Sequence, residues 1–299
     1  MPPIKSILIV LDVYNDFRDD PAHQPLEIKK ALALAGDPAA TTLYLVGCGF
    51  EEYLHESYTD FGTDAPAKRR QFIERMAQRL ERFAITLKLE GYTVDCRVHW
   101  TFPRYEQIAK EAQALNVDLV VQHVNAQKGH ERHNLSHDSW QLVKNCQKSL
   151  LLIKDHEWQS EPVVLAAVDP LHSHHKPKGL DHAILSTAID ASAAIGGQLK
   201  VVHAYSESAL SLSVTGAVRE AHTKAMDTLL TDFHLAESAV HLVDDTPVNA
   251  ILKCRDALHA DIICIGALSR SRLKEAIIGN TAERVLDYVK SDLYIIRPG

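Results

Sequence analysis

One stretch of this sequence has the residue types and spacing to hold a phosphate. An apolar run, Asp261-Ile-Ile-Cys-Ile265, leads into Gly266-Ala-Leu-Ser269, and nine residues later the chain reads Gly279-Asn280-Thr281-Ala-Glu283. Asn280 with Glu283 three positions on makes a capping pair, which predicts a helix starting there. A helix N-terminus offers unpaired N–H groups and partial positive charge, and both suit a phosphate. Gly266 and Gly279 allow close approach of backbone to a ligand, and Arg270, Arg272 and Lys274 lie between them to offset its charge. A plain strand–loop–helix connection with solvated basic residues fits the same spacing, so the motif alone leaves both readings open.

Histidine is the other chemical feature, with 17 in the chain. His172-Ser-His174-His175 follows directly on Asp169-Pro, and His123, His130, His133 and His137 gather in the middle of the chain. Imidazole is the commonest metal ligand, so a metal-dependent enzyme built on His172–His175 is one reading. No cysteine or closely spaced carboxylate completes either set, and polar loop residues are the simpler account. We therefore expect no metal site.

Other motifs are missing. There is no GxxxxGK[ST], no GxSxG, no HExxH and no CxxC. Gly47-Cys-Gly49-Phe-Glu-Glu52 starts like a dinucleotide turn and then departs from it. No nucleophile with a base and an orienting partner is evident, so a binding protein is expected rather than an enzyme.

The elements that would position these residues are legible as a repeat. Ile7-Leu-Ile-Val-Leu-Asp12 matches Val164-Leu-Ala-Ala-Val-Asp169, 157 positions on, and Leu43–Gly47 matches Lys200–Ala204 at the same offset. Leu115-Asn-Val-Asp118 matches Leu258-His-Ala-Asp261, and Cys146–Lys154 matches Val289–Arg297, both at an offset of 143. The fall in offset predicts an insertion of about 14 residues between the second and third strands of the first half. Each half alternates short apolar runs, as strands buried on both faces require, with amphipathic helical stretches. The expectation is an α/β protein of two tandem open parallel-sheet (Rossmann-like) domains, residues 1–157 and 158–299. Ligands of such sheets bind at the carboxyl ends of strands.

Composition narrows the function classes. The chain has 299 residues, 46% of them hydrophobic and 24% charged, with a net charge of −7. The acidic balance argues against nucleic acid as a partner. No apolar run nears the ~20 residues that span a bilayer. The opening Met-Pro-Pro-Ile-Lys has no apolar leader, and five widely spaced cysteines suit reduced thiols, so a cytoplasmic protein is expected.

The duplicated unit, the Asp that closes the first strand of each half, and the glycine pattern resemble the universal stress protein family, and the resemblance covers essentially the whole chain twice. Nucleotide-binding members carry Gly-x2-Gly-x9-Gly followed by Ser or Thr. Here the spacing is intact, with Ser269 at the second glycine and Asn280 at the final hydroxyl. The resemblance implies an ATP-like ligand in the second domain. Asp169 would face adenine or ribose, Ala204 would line the adenine pocket, and Gly266, Ser269, Arg270, Gly279, Asn280 and Thr281 would surround the phosphates. In the first half the same positions are His123, Ala126, Ser136 and His137, so no phosphate cradle is expected there. It also implies two domains packed as an intrachain pseudo-dimer through residues 150–153 and 293–296, with a homodimer as a further option. An apolar or lipid-like ligand, or a protein partner, is the alternative to a nucleotide.

Overall fold

The computed structural model describes residues 4–12, 24–51, 65–124, 136–171, 179–207, 217–267, 284–285 and 289–297. They form two compact units. One holds the described residues of 3–123 and 137–148, the other those of 124–136 and 149–299.

The first unit is built on four parallel strands, β1 (Ser6–Leu11), β2 (Thr42–Gly49), β3 (Thr93–Trp100) and β4 (Leu119–His123), in the order β3-β2-β1-β4. β1 lies centrally, with Leu8 level with Tyr44 on one side and Val120 on the other. Ile7, Leu8, Ile9, Leu43, Leu45 and Leu119 are fully buried, as expected of strands covered on both faces. Four helices accompany them: α1 (Leu26–Leu34), α2 (Ala65–Leu89), α3 (Arg104–Ala114) and α4 (His137–Asn145). α2 buries Met76, Leu80, Ala84 and Leu87, one stripe at helical spacing.

The second unit carries β5 (Ser149–Ile153), β6 (Val163–Ala167), β7 (Gln198–Tyr205), β8 (Val240–Asp244), β9 (Ile262–Gly266) and β10 (Asp292–Ile296), in the order β5-β10-β9-β6-β7-β8. Helices α5 (Leu180–Ala194), α6 (Ala217–Leu230) and α7 (Pro247–Leu258) connect them. All neighbours are parallel except β5 and β10, which run antiparallel with Leu152 opposite Leu293 and Leu150 opposite Ile295. The two closing strands therefore pair as the sequence led us to expect. β5 packs in the second unit because it pairs with β10.

The insertion in the first half is taken up chiefly by a helix, since α2 has 25 residues against 14 in α6. The offset also hides a shared device. Asp118, just before β4, accepts hydrogen bonds from the backbone N–H groups of Lys5 and Ser6 at the start of β1. Asp261, just before β9, accepts from the N–H of Val163 at the start of β6, and from the N–H and Nε2 of Gln159. Each carboxylate joins a fourth strand to a first strand at their amino ends. Asp292, with no exposed surface, extends this in the second unit by accepting from the Lys154 N–H and the Trp158 indole. A buried carboxylate is tolerated there because backbone and indole donors replace its water.

Among the described residues, no helix is long and apolar enough to cross a membrane.

Candidate functional site

The parallel sheet of the second unit brings three of the expected ligand residues to one end. Ala167 is level with Val202 and Ala166 with Cys264. Extending that register sets Asp169 beside Ala204 and Gly266 one step below, at the carboxyl ends of β6, β7 and β9. β6 is the middle strand of the three, and its carboxyl end is where ligands of open α/β sheets bind. The other expected residues, Ser269, Arg270, Gly279, Asn280 and Thr281, lie outside the described residues, as do His130, His133 and His172–His175.

Asp169 is half-buried, and its backbone N–H donates to the Asp181 carboxylate in the first turn of α5 at 3.1 Å. This bond ties the chain leaving β6 to the helix that follows. Gly266 has a packing reason of its own. A Cβ built there would lie 2.7 Å from Leu180 Cδ2, so the buried Leu180 at the start of α5 fills the space in front of it. The absence of a side chain at 266 is thus required by α5.

Two histidines that the sequence reading passed over lie beside them. His203, one residue before Ala204, is buried to 1% exposure, with Nδ1 3.0 Å from the Val168 carbonyl. Its Nε2 is 2.7 Å from Nδ1 of His222 on α6. The Tyr205 ring lies 5.7 Å from the His222 ring, centroid to centroid. Burial, the largest influence, pushes His203 below its ordinary range; the Val168 carbonyl and the Asp169 charge act against this. A signal for His203 existed, since a histidine inside an apolar strand needs a partner. Nothing in the sequence names His222 as that partner.

The same end of the first unit has a different character. Phe50 after β2, Trp100 at the end of β3, and Phe102 form an aromatic group, with Phe50 5.8 Å from Trp100 and 5.6 Å from Phe102. Phe72 of α2 meets Trp100 edge-on at 5.3 Å, and the Arg69 guanidinium lies 5.4 Å from that ring. Phe102 is 71% exposed.

A cavity of about 480 Å³ opens at the opposite, amino end of the second unit, lined by Lys154, His156, Arg255, His259 and Lys290 among others. Its deepest carboxylate, Asp261, is committed to Gln159 and Val163. Among the described residues, no group of three or more His, Cys, Asp or Glu converges as a metal site would need. All five cysteines are free, and burial raises Cys48 and Cys96 to about 12, which makes them poor nucleophiles at neutral pH.

Comparison with known proteins shows what the chain is similar to. The model of the universal stress protein family matches residues 163–297. The second half of the chain is thus similar to universal stress protein domains. The chain is also similar to universal stress protein E of Escherichia coli K12, at 24% identity over 219 residues, covering 70% of this chain and 69% of that one. The protein of the same name from Photorhabdus laumondii is 26% identical over 220 residues, with 70% of each chain covered. Among solved structures, a functionally unknown protein of Pseudomonas aeruginosa PAO1 superposes with a TM-score of 0.77 at 24% identity, covering 99% of this chain and 93% of that one. A universal stress protein of Archaeoglobus fulgidus superposes with a TM-score of 0.62 at 16% identity, covering 98% of each chain. These two likenesses carry the fold across nearly the whole length.

Proposed function

We propose that this chain is a stress-response binding protein that takes one phosphate-bearing nucleotide such as ATP in its second domain and does not turn it over rapidly. The observation that carries this is the placement of Asp169 and Ala204 side by side at the carboxyl ends of the adjacent strands β6 and β7. Asp169 would hold the ribose or adenine, and Ala204 leaves room for the base. Ser269, Arg270, Gly279, Asn280 and Thr281 would receive the phosphates, as the family pattern implies. ATP would supply charge and binding energy rather than a reaction. The protein acts from the cytoplasm, as two tandem domains spanning 1–157 and 158–299.

Calorimetry with ATP tests this. One site per chain is the expected result, abolished by Asp169→Ala with little change in ligand-free stability. Two equivalent sites per chain would refute the asymmetric reading. Absence of heat and of any thermal shift at millimolar ATP would favour a second reading, an apolar or lipid-like ligand. The exposed Phe102 beside Phe50 and Trp100 supports that reading.

A further inference from the structure

The His203–His222 contact fixes its own protons. A carbonyl oxygen only accepts, so His203 Nδ1 must donate to Val168 across their 3.0 Å. In the uncharged ring Nε2 is then a lone pair, and His222 Nδ1, 2.7 Å away, must be the donor. The neutral pair therefore has one arrangement, with hydrogen bonds running from His222 to His203 to the end of β6. It leaves a single ring nitrogen, His222 Nε2, able to take a further proton. A second added proton would set two N–H groups against each other at hydrogen-bond distance, so two charges do not fit.

The surroundings give that one charge a direction of action. The charges that act on His203 come from Asp169 after β6, Asp181 on α5 and His222 on α6, and the first two attract a proton. On its own strand Tyr205 lies against the His222 ring, and its neighbour across β8 is the apolar Leu242. A proton held by the pair thus sits one residue from Ala204 and close to Asp169, at the end of the sheet where the ligand is proposed to bind.

We propose that the His203–His222 pair is a one-proton sensor, which on acidification takes up a single shared charge and thereby tightens binding of an anionic ligand at the site beside Asp169. The ligand half of this rests on the nucleotide reading above. The sensor half stands on the geometry of the two rings. The first half of the molecule has no counterpart, because Val46 occupies the position of His203.

Two measurements test it on the full chain. Ring-nitrogen NMR without ligand, from about pH 8 to about pH 5, is expected to show both histidines responding to one common proton, with His222 Nδ1 protonated at the start. Independent uptake of two protons would overturn the sensor. ATP calorimetry at about pH 7.5 and about pH 6, each in two buffers of different ionisation heat, reads the linkage. The expected result is about threefold to tenfold tighter binding at the lower pH, with uptake of a fraction of a proton. The His222→Gln variant keeps an amide that can donate to His203 but does not titrate, and is expected to bind with a clearly smaller pH response. Equal pH dependence in the variant and the parent would assign the effect to ATP's own phosphates and overturn the ligand half. If ATP binds at neither pH, the nucleotide reading fails and the ligand half falls with it, while the NMR titration still decides the sensor.

Discussion

The two halves of this chain agree at one end of their strands and part company at the other. At the amino ends, Asp118 and Asp261 perform the same task, each linking a fourth strand to the N–H groups that open a first strand. At the carboxyl ends, the second half presents Asp169, Ala204 and a hydrogen-bonded histidine pair, while the first presents Phe50, Trp100 and Phe102. The amino end carries what the fold needs in order to close, and it is duplicated. The carboxyl end, where a ligand is proposed to bind, is where the copies differ in residue chemistry.

The clamps give the largest expected effect. Asp261→Ala removes a buried acceptor and leaves Val163 and Gln159 donors without partners, at a cost of ~3 kcal/mol. Asp118→Ala, whose hydrogen bonds are solvent-exposed, is expected to cost nearer ~1 kcal/mol. Chemical denaturation reads both, and equal losses would show that burial does not distinguish the two clamps.

Next comes Gly266. Because Leu180 fills the space before it, Gly266→Ala is expected to destabilise the second unit by ~1–3 kcal/mol with or without ATP. A variant of parental ligand-free stability that fails to bind ATP would transfer the role of this glycine from packing to ligand.

The pH response is expected to separate the halves. Burial holds His203 below its ordinary range, so the unfolded chain binds the proton more readily than the folded one. The stability this residue confers is present above its unfolded value and is lost as pH falls through the mildly acidic range toward the folded one. His203→Val, which installs the first half's Val46, is expected to flatten the acid limb of the thermal-stability profile. An unchanged limb would place the titration elsewhere.

The smallest effect concerns a helix start. α7 opens on Thr246, whose hydroxyl accepts from the Asn249 N–H, whereas α3 opens on Pro103 with no side-chain cap. Thr246→Ala is expected to cost ~0.5–1 kcal/mol in thermal melts, and Pro103→Ala no cap bond at all.

Much of the architecture was legible because it rests on local pattern. The apolar runs at 7–11 and 164–168 had to be strands buried on both faces, and the matched Cys146–Lys154 and Val289–Arg297 segments pointed to the paired closing strands. Asp118 and Asp261 were visible as a match, yet their role was not, since their partners lie about a hundred residues away in sequence. Gly266 read as a place for a ligand because sequence cannot show that Leu180 would arrive there from α5. The histidine pair was hidden for the same reason. His203 sits in an apolar strand and His222 in an unremarkable helix, and only the docking of α6 on the sheet joins them.

The pairing of β5 with β10 has a consequence for anyone who would express the second half by itself. A chain beginning at residue 158 keeps β6 to β10 but loses Leu150–Leu152, and with them the partner of Leu293–Ile295. β10 would then become an outer strand, apolar on both faces, with a row of unsatisfied N–H and C=O groups. Such a ribbon recruits whatever strand it meets. The truncated half is expected to associate with itself through β10, as dimers or as aggregate, and a chain that starts ahead of Ser149 keeps the partner that β10 has here.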